Sequence, residues 1–511
     1  MAKRQLVLIV LDGWGIGRQD ETNPIHIVKP ESFRWLEENY PATSLQASGI
    51  SVGLPWGEVG NSEVGHVTLG AGKILYQYYP KITMAIQEGD FYRNPALLFA
   101  VEHAKKNNSA VNLVGLLTKA NVHASLEHLL ALVKMAEENG VPEIKLHLFA
   151  DGKDSAPKTI VEFLKEVPRA HLATIVGRYY AMDRGQNWRL TEAAYENMVG
   201  RGGFLTQDLD AMVNETLAKN ATEEYLPALR LKEGGIIKSN EAIIFFNYRE
   251  DSIRQLAEAF ILKDFDKFPR AELKNMYIAT MTHYEDKLGV PVAFQPDKAE
   301  VPLGQVLSEA GKTQLRVAET YKYAHVTFFF NAYREPPYKN EFRALIPSLQ
   351  TTHPDENPEL RASAVTDRVL ESIQGRSFDF VLANYSNPDT IAHTANYEAG
   401  IQAVKIIDKE IGRLLKVALN EDTILVITSD HGNVEEMLDP MTALPESQHD
   451  PNPVPFYLVA PEFKGKKFLN WRNLSAETMG SLADVAPTIL ELMEIEKPKT
   501  MTGRSLLEGL I

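Results

Sequence analysis

The sequence predicts an α/β protein with two domains, one of which is built from both ends of the chain. Apolar, strand-like runs alternate with amphipathic, helix-like segments along its 511 residues, and this alternation is typical of α/β folds. Two segments, 76–80 and 294–302, look like crossings between domains, and the two prolines of the second suit an extended linker. We therefore expect one domain from residues 1–76 and 297–511, with residues 77–296 inserted as a second α/β domain.

Three apolar runs in the terminal halves end in residues that could bind a metal ion. Continuous apolar runs bounded by polar loops are typical of buried parallel strands. Open α/β sheets bind their ligands at the carboxyl ends of such strands, so we predict a metal site at that edge of the first domain. The runs and the residues after them are 6–11 with Asp12, 378–384 with Asp389 and His393, and 424–429 with Asp430 and His431.

The inserted segment carries its own strand and helix pattern. Amphipathic segments such as 128–135 separate its apolar runs and predict helices between strands. The predicted strands are 144–149, 173–176, 243–246 and 276–281.

Composition and charge restrict the partners. The net charge of −15, with no long basic run, opposes binding to nucleic acid or to an acidic membrane surface. A phosphorylated substrate would need a local cationic pocket. The chain has no cysteine, which excludes disulfides and thiolate metal ligands. The apolar run 6–11 is shorter than the ~7–15 residues of a signal peptide, and no run approaches the ~20 residues of a membrane span. We expect a cytoplasmic protein that acts as a monomer.

A first metal ion could be held by Asp389, His393 and His449. Residues four apart on a helix share a face, so Asp389 and His393 could reach one ion. His449 lies in a proline-rich loop that could present a third ligand. The alternative is that a lone Asp-x-x-x-His pair lies on a helix surface without any ion, which is the commoner case.

A second ion could be held by Asp12, Asp430 and His431. The alternative for a strand-end aspartate is that it caps the next helix. Three such features, each after a buried strand, favour a two-metal site, and mixed carboxylate and imidazole ligands suit manganese or zinc better than calcium.

The segment Gly-Asn-Ser-Glu-Val-Gly-His at 60–66 is the other local cluster. One interpretation is a helix start with Asn61 or Ser62 as the N-cap. A serine at a helix N-terminus is also well placed to become phosphorylated, because backbone N–H groups and the helix dipole stabilise a phosphate there. The two interpretations are compatible.

Taken together, these motifs identify a resemblance that covers essentially the whole chain. The sequence resembles the cofactor-independent phosphoglycerate mutases, members of the alkaline-phosphatase superfamily. The segments that carry the resemblance are 60–66, 177–184, 318–326, 387–393, 429–433 and 484–488.

The resemblance implies an alkaline-phosphatase-like parallel-sheet domain, an inserted substrate-binding domain and two Mn2+ ions, with another divalent metal possible and no 2,3-bisphosphoglycerate. One ion would be held by Asp389, His393 and His449, and the other by Asp12, Ser62, Asp430 and His431. Ser62 would be the nucleophile, Lys322 would meet the phosphoryl group, and Asp154 or His123 would move the hydroxyl proton. The substrate contacts would come from His123, Lys153, Asp154, Arg184, Arg249 and Lys322.

The departures from the family pattern fall almost entirely in the inserted domain. Three family arginines are missing in register, and lysine replaces a fourth. Arginine grips carboxylate and phosphate bidentately, so these changes alter the substrate clamp. The missing arginines are at Asn187, Leu190 and Ser252, and the lysine is Lys153. We expect at least one nearby cation to compensate; the candidates are Lys119, Arg189 and Arg254.

The leading functional hypothesis is an isomerase that interconverts 2- and 3-phosphoglycerate through a phosphoserine. The altered clamp favours a second hypothesis, a metal-dependent phosphohydrolase or a mutase for another small phosphate ester. A third is a catalytically inactive binding protein, against which the complete set of metal ligands and Lys322 argue.

Overall fold

The computed structural model describes residues 4–220, 222–231, 235–466 and 478–510. The chain forms two compact units, residues 1–76 with 297–511, and residues 77–296. Each unit contains a largely parallel sheet and its own apolar core. The predicted α/β class with two domains is confirmed.

Strands and helices alternate along the described chain. The strands are β1 (Leu6–Leu11), β2 (Ala42–Gln46), β3 (Ala110–Leu117), β4 (Glu143–Ala150), β5 (Leu172–Gly177), β6 (Phe204–Leu205), β7 (Leu229–Arg230), β8 (Ala242–Phe245), β9 (Tyr277–Thr282), β10 (Val292–Phe294), β11 (Gln314–Glu319), β12 (Glu341–Ile346), β13 (Phe380–Tyr385), β14 (Ile424–Thr428), β15 (Val454–Val459) and β16 (Gly480–Ser481). The helices are α1 (Pro24–Val28), α2 (Glu31–Asn39), α3 (Ser62–Ala71), α4 (Tyr78–Glu88), α5 (Pro95–Lys106), α6 (Leu126–Glu138), α7 (Ile160–Glu166), α8 (Arg178–Ala181), α9 (Trp188–Met198), α10 (Leu209–Lys219), α11 (Arg254–Ile261), α12 (Leu303–Glu309), α13 (Ala362–Gly375), α14 (Asn387–Ala392), α15 (Tyr397–Asn420), α16 (Val485–Leu492) and α17 (Leu507–Leu510).

The sheet of the first unit has the strand order β12-β11-β13-β1-β14-β15-β2-β16. Strand β1 is wholly buried and lies parallel to both β13 and β14, with Leu11 opposite Tyr385. Strand β11 is parallel to β13, whereas β15 is antiparallel to β14. The carboxyl ends of β11, β13, β1 and β14 and the amino end of β15 therefore meet at one edge.

The sheet of the second unit has the order β10-β9-β8-β3-β4-β5-β7-β6. Strands β9, β8, β3, β4 and β5 are parallel to one another, whereas β7 is antiparallel to β5. Their carboxyl ends form a second edge, from which the loops at 118–125, 151–159 and 246–253 emerge.

The predicted strands agree with the observed ones within two residues at each end, and the predicted helical segment 128–135 lies inside α6, but one crossing is shorter than expected. Helix α4 begins at Tyr78, so most of segment 76–80 is helical. Pro80 lies in the first turn of that helix, where a backbone N–H would have no intrahelical acceptor, so proline costs no hydrogen bond there. Among the described residues, no helix is both long and apolar enough to cross a bilayer.

Candidate metal centre

The edge of the first sheet collects polar residues from four neighbouring strands. Asp12 directly follows β1, and Asp430 lies two residues beyond β14. Asp389 lies in α14, which follows β13, and Lys322 ends a 3-10 turn after β11. Because these four strands are adjacent and parallel, their end residues converge although the chain separates them widely.

One cluster consists of Asp389, His393 and His449, whose potential ligand atoms all lie within 4.8 Å of one another. Oδ1 of Asp389 lies 3.2 Å from Nε2 of His393 and 3.1 Å from Nε2 of His449. The two Nε2 atoms are 3.1 Å apart. His393 directly follows α14 and faces the same way as Asp389, as the four-residue spacing predicts.

The other cluster consists of Asp12, Asp430 and His431, all fully buried. Nε2 of His431 lies 3.5 Å from Oδ1 of Asp12 and 3.6 Å from Oδ2 of Asp430. The hydroxyl of Ser62 joins this cluster, 3.0 Å from Asp12 Oδ1 and 3.0 Å from His431 Nε2. Ser62 is the first residue of α3, and Asn61 is its N-cap, accepting a hydrogen bond from Val64 N–H.

Lys322 connects the two clusters. Its buried ammonium donates to Asp12 Oδ1 at 2.6 Å, to Ser62 Oγ at 2.7 Å and to Asp389 Oδ2 at 2.7 Å. A single cation thus pairs with one carboxylate of each cluster and contacts the Ser62 hydroxyl.

Three histidines present Nε2 to the clusters because their other ring nitrogen is already bonded. In each case Nδ1 lies against a backbone carbonyl, which can only accept, so Nδ1 carries hydrogen and donates. This is the usual outer contact of a metal-binding histidine. The pairs are His393 with Ser447 O at 2.8 Å, His449 with Gly60 O at 2.8 Å, and His431 with Gly432 O at 3.2 Å.

Two glycines allow the backbone to approach the carboxylates closely. A Cβ on Gly65, in α3, would lie 2.6 Å from the carbonyl oxygen of Asp430. Gly13 has φ +71°, and a Cβ there would lie 2.8 Å from Cβ of Asp389. Any side chain at either position would push the ligand-bearing loops apart.

Sequence reasoning missed three polar residues that hold the clusters in place. Asn384, inside an otherwise apolar strand, donates to Asp12 Oδ2 at 2.6 Å and also contacts Nε2 of His66 at 3.0 Å. Nδ1 of His66 lies 3.1 Å from Asp430 Oδ2. Asn433 donates to Asp389 Oδ1 at 2.8 Å. The available signal was polarity within buried strand and loop segments.

Charge pairing controls the protonation of the site. Burial alone would raise the pKa of Asp12, but the Lys322 charge and the His431 hydrogen bond hold it well below its usual range. Burial would lower the pKa of Lys322, yet Asp12 and Asp389 raise it above its usual value. Burial likewise opposes protonation of His431, but Asp430 and Asp12 raise its pKa to about 10. The hydrogen bond to Asp389 raises the pKa of His393.

The donor set fits divalent metal ions. Oδ2 of Asp430 is buried and makes no well-aligned hydrogen bond among the described residues, and two imidazole nitrogens face it, Nδ1 of His66 at 3.1 Å and Nε2 of His431 at 3.6 Å, so this oxygen is available to a cation. The imidazoles aim Nε2 inward, and mixed carboxylate and imidazole sets suit transition metals. Without a bound metal, the ammonium of Lys322 and the protonated His431 supply positive charge to these carboxylates.

In the second unit, the edge of the sheet gathers a separate polar cluster. Nη1 of the largely buried Arg178 donates to Asp151 Oδ1 and to Asp154 Oδ2, both at 2.6 Å. Nε2 of His123 lies 3.8 Å from Asp154 Oδ2. The structure therefore places the two predicted proton-transfer residues side by side. The structure also shows that Arg178 belongs to this cluster. The sequence analysis included Arg178 in the segment 177–184 but predicted no role for it.

Asp251 pairs with both predicted substrate-binding arginines. Its Oδ2 lies 2.7 Å from Nη1 of Arg184 and 3.3 Å from Nη2 of Arg249. Its Oδ1 lies 3.6 Å from Nδ1 of His123. Ser252, where the family pattern has arginine, contacts the same ring nitrogen at 3.1 Å. A serine hydroxyl cannot replace the charge of an arginine at this position.

The cations proposed to compensate differ in their surroundings. Lys119 donates to Glu166 at 2.6 Å, and Arg254 lies 3.7 Å from Glu250. Arg189 is exposed near the start of α9, and Lys153 is exposed in the loop after β4. Of the positions that lack arginine, Asn187 is exposed and Leu190 is half-buried.

Similarity to known proteins extends over nearly the whole chain. Residues 4–497 match the family model described as the Metalloenzyme superfamily. The chain is 42% identical over 520 residues to the 2,3-bisphosphoglycerate-independent phosphoglycerate mutase 1 of Methanosarcina barkeri, covering 99% of this chain and 98% of that protein. It is 42% identical over 519 residues to the 2,3-bisphosphoglycerate-independent phosphoglycerate mutase of Clostridium novyi, covering 99% of this chain and 100% of that one.

A solved structure supports the fold. The phosphoglycerate mutase of Leishmania mexicana, crystallised at low cobalt concentration, matches with a TM-score of 0.53 and 24% identity, covering 99% of this chain and 98% of that chain.

Proposed function

The chain belongs to the family of 2,3-bisphosphoglycerate-independent phosphoglycerate mutases, metal-dependent isomerases that interconvert 2- and 3-phosphoglycerate, and from that premise we propose that Ser62 is its phosphoryl-accepting nucleophile. The observation that carries the proposal is the position of the Ser62 hydroxyl, between two metal-ligand clusters and 2.7 Å from the Lys322 ammonium. The reaction is a step of glycolysis and gluconeogenesis, which favours a cytoplasmic location.

The residues around Ser62 suit phosphoryl transfer. The hydroxyl donates to Asp12, which orients Oγ, while Lys322 is placed to stabilise negative charge on Oγ and on the phosphoryl oxygens. Ser62 also begins α3, whose N-terminal N–H groups and dipole favour a bound phosphate. These contacts support a phosphoserine intermediate.

We assign two Mn2+ ions to the clusters. Asp389, His393 and His449 would hold one ion. The other ion would be held by Asp12, Ser62, Asp430 and His431. When bound, the ions act as Lewis acids that stabilise charge on serine and phosphoryl oxygens. Asn433 and Asn384 orient one carboxylate of each set by hydrogen bonds. The ligand types favour manganese over calcium.

The inserted unit would hold the glycerate part of the substrate. Lys153, Arg184 and Arg249 supply cations for its carboxylate. The adjacent His123 and Asp154 would handle the proton of the hydroxyl that gains or loses the phosphoryl group. Opening the Asp251 pairs with Arg184 and Arg249 would free both guanidinium groups for the substrate.

An enolase-coupled assay tests the proposal. With 3-phosphoglycerate and Mn2+, the chain should form 2-phosphoglycerate without added 2,3-bisphosphoglycerate, and Ser62→Ala should abolish product formation. Phosphate release is measured in parallel. Release of inorganic phosphate without formation of 2-phosphoglycerate would reject the mutase assignment and support hydrolysis.

The substitutions at the clamp support a second candidate, a phosphohydrolase or mutase for another small phosphate ester. Leu190 and Ser252 stand where the family pattern has arginine, and Asp251 already pairs with Arg184 and Arg249. A panel of phosphate esters compared by kcat/KM decides between the candidates. An ester used at least about tenfold better than 3-phosphoglycerate would favour the second.

A further inference from the structure

Ser252 stands out because its hydroxyl touches one of the two predicted proton-transfer residues. Its Oγ lies 3.1 Å from Nδ1 of His123, although the residues are 129 positions apart. Both are buried, with exposed fractions of 4% and 5%. The loops that carry them are joined by the backbone, because Tyr248 N–H donates to His123 O at 2.9 Å.

The direction of this hydrogen bond follows from the need to pair the hydroxyl hydrogen. Within the described part of the chain, Nδ1 of His123 is the sole hydrogen-bond partner of Ser252 Oγ. If Nδ1 carried hydrogen and donated, the hydroxyl hydrogen would be buried without an acceptor, which is unfavourable. Ser252 therefore donates to Nδ1, and the ring hydrogen resides on Nε2.

The other side of the ring agrees with that tautomer. Nε2 faces Oδ2 of Asp154 at 3.8 Å, and a carboxylate oxygen can only accept. Arg178 holds this carboxylate in place at 2.6 Å. Burial, and then the charge of Arg178, lowers the pKa of His123, so the ring is neutral near pH 7.

Asp251 is the competitor for the opposite tautomer. Its Oδ1 lies 3.6 Å from Nδ1 of His123 and has no hydrogen-bond partner among the described residues. Without the Ser252 hydroxyl, Nδ1 could keep its hydrogen and donate to this oxygen. The shorter contact of Ser252 prevents this.

We propose that Ser252 is a positioning residue that fixes His123 as the neutral Nε2–H tautomer, so that His123 acts as a hydrogen-bond donor and Asp154 as the proton acceptor. This deepens the proposed function and depends on it for the chemical step. The substrate hydroxyl gives its proton to Asp154 as its oxygen bonds to phosphorus. The P–Oγ bond of the phosphoserine breaks, and its electron pair stays on Ser62 Oγ, whose negative charge the Lys322 ammonium stabilises. His123 Nε2–H donates to a substrate oxygen and keeps its hydrogen.

The tautomer is measured directly by long-range 1H–15N correlation spectra of the full-length protein labelled with [15N]histidine. The His123 signals are identified by their loss in His123→Asn. We expect a pyridine-type shift for Nδ1 and a pyrrole-type shift for Nε2. In Ser252→Ala the Nδ1–H form should become populated. A wild-type spectrum with hydrogen on Nδ1, or an unchanged tautomer in Ser252→Ala, would overturn the proposal.

Kinetics of the same variants test the consequence. Ser252→Ala loses one hydrogen bond, so kcat should fall about threefold to tenfold, with KM changing less than about twofold. Ser252→Thr keeps a hydroxyl and should recover most of the activity. Ser109→Ala is the control, because it also removes one hydroxyl that donates a hydrogen bond, to Asn240 O. Ser109 precedes the amino end of β3, whereas His123 follows its carboxyl end, so the control lies away from His123. Equal losses in the alanine and threonine variants would contradict the proposal.

The pH profile gives an independent readout. The charged groups that face His123 are Asp154, Asp251, Arg178 and Arg249. In Ser252→Ala no hydroxyl donates to Nδ1 of His123, so Nδ1 can bind a proton that Asp251 stabilises. His123 should then become protonated at higher pH, and the acid limb of the kcat/KM profile should move to higher pH. Absence of mutase activity in the wild type would reject the proposed function, while the tautomer spectra would still decide the role of Ser252.

Discussion

The ammonium of Lys322 donates to the hydroxyl of Ser62 at 2.7 Å, although 260 positions separate the two residues. The same ammonium contacts Asp12 and Asp389, one from each metal-ligand cluster. The Lys322 ammonium thus contacts the proposed nucleophile and a carboxylate of each cluster, and phosphoryl transfer should be sensitive to its loss.

Replacing Lys322 with methionine should reduce kcat at least about 100-fold, the usual cost of losing a donor that stabilises transition-state charge. Lys322→Arg should rescue only weakly, because a planar guanidinium does not reproduce three contacts from one nitrogen. Lys405→Met, at an exposed position on α15, is the matched control. Steady-state rates with saturating Mn2+ provide the measurement; near wild-type kcat in Lys322→Met would exclude the assigned role.

Ser62 should carry the phosphoryl group during turnover. Rapid quenching with 32P-labelled substrate, followed by peptide mapping, should place the label on the peptide that contains Ser62. The label should be absent in Ser62→Ala and present in Ser363→Ala, which removes an exposed hydroxyl of the same unit. A label on a histidine would indicate a different mechanism.

Removal of the metal should abolish activity, and Mn2+ should restore it. Asp430→Asn and His393→Ala each delete a ligand from a different cluster and should each lower the bound metal by about one equivalent. His353→Ala, at an exposed histidine outside both clusters, serves as the control. Atomic emission gives the metal content, and full activity of a metal-free preparation would rule out the metal assignment.

Metal binding should strengthen as the pH rises. In the metal-free fold the pKa of His431 is raised to about 10, from 6.5 in the unfolded chain. Protonated His431 therefore stabilises the fold fully below about pH 6.5, and this stabilisation is lost as the pH rises through about 10. A metal must displace this proton. The increase in Tm on adding Mn2+ should therefore be larger at about pH 9 than at about pH 6, and an increase independent of pH would contradict the ligand role.

Glu37 should destabilise the chain at alkaline pH. Burial raises the pKa of Glu37. The Tyr457 hydroxyl, which donates to Glu37 Oε1 at 3.3 Å, lowers it by less, so the pKa is about 8. The folded state keeps this proton up to about pH 8 and the unfolded state loses it near 4.5, so stability falls across that interval.

Glu37→Gln should raise the free energy of unfolding by about 1–2 kcal/mol at about pH 9, allowing for solvent screening, and change it little at about pH 5. Glu38→Gln, at the exposed neighbouring position, should have no such pH-dependent effect. Urea unfolding at the two pH values measures the difference. Equal effects of the two substitutions would show that the Glu37 carboxyl is not held protonated.

The sequence by itself predicted seven of the described strands, three in the first sheet and four in the second, together with the metal-ligand residues that follow the first three, but it did not predict strands such as β3 and β11. Apolar runs such as 6–11 and 424–428 are long and uninterrupted, so burial and period alone identify them. The spacing of Asp389 and His393 likewise predicts a shared helix face. Local signals of this kind depend only on neighbours in the chain.

Only the tertiary structure decided which distant groups touch. The strand order brings Lys322 to Ser62 and Asn384 to His66, and no local pattern encodes that order. The contact of Ser252 with His123 depends on where two loops of the second sheet end, and a hydrogen bond forms only within a few tenths of an ångström. Sequence supplies the chemical groups, whereas their partners and protonation follow from packing, because burial and charge pairing arise only once the strands are in register.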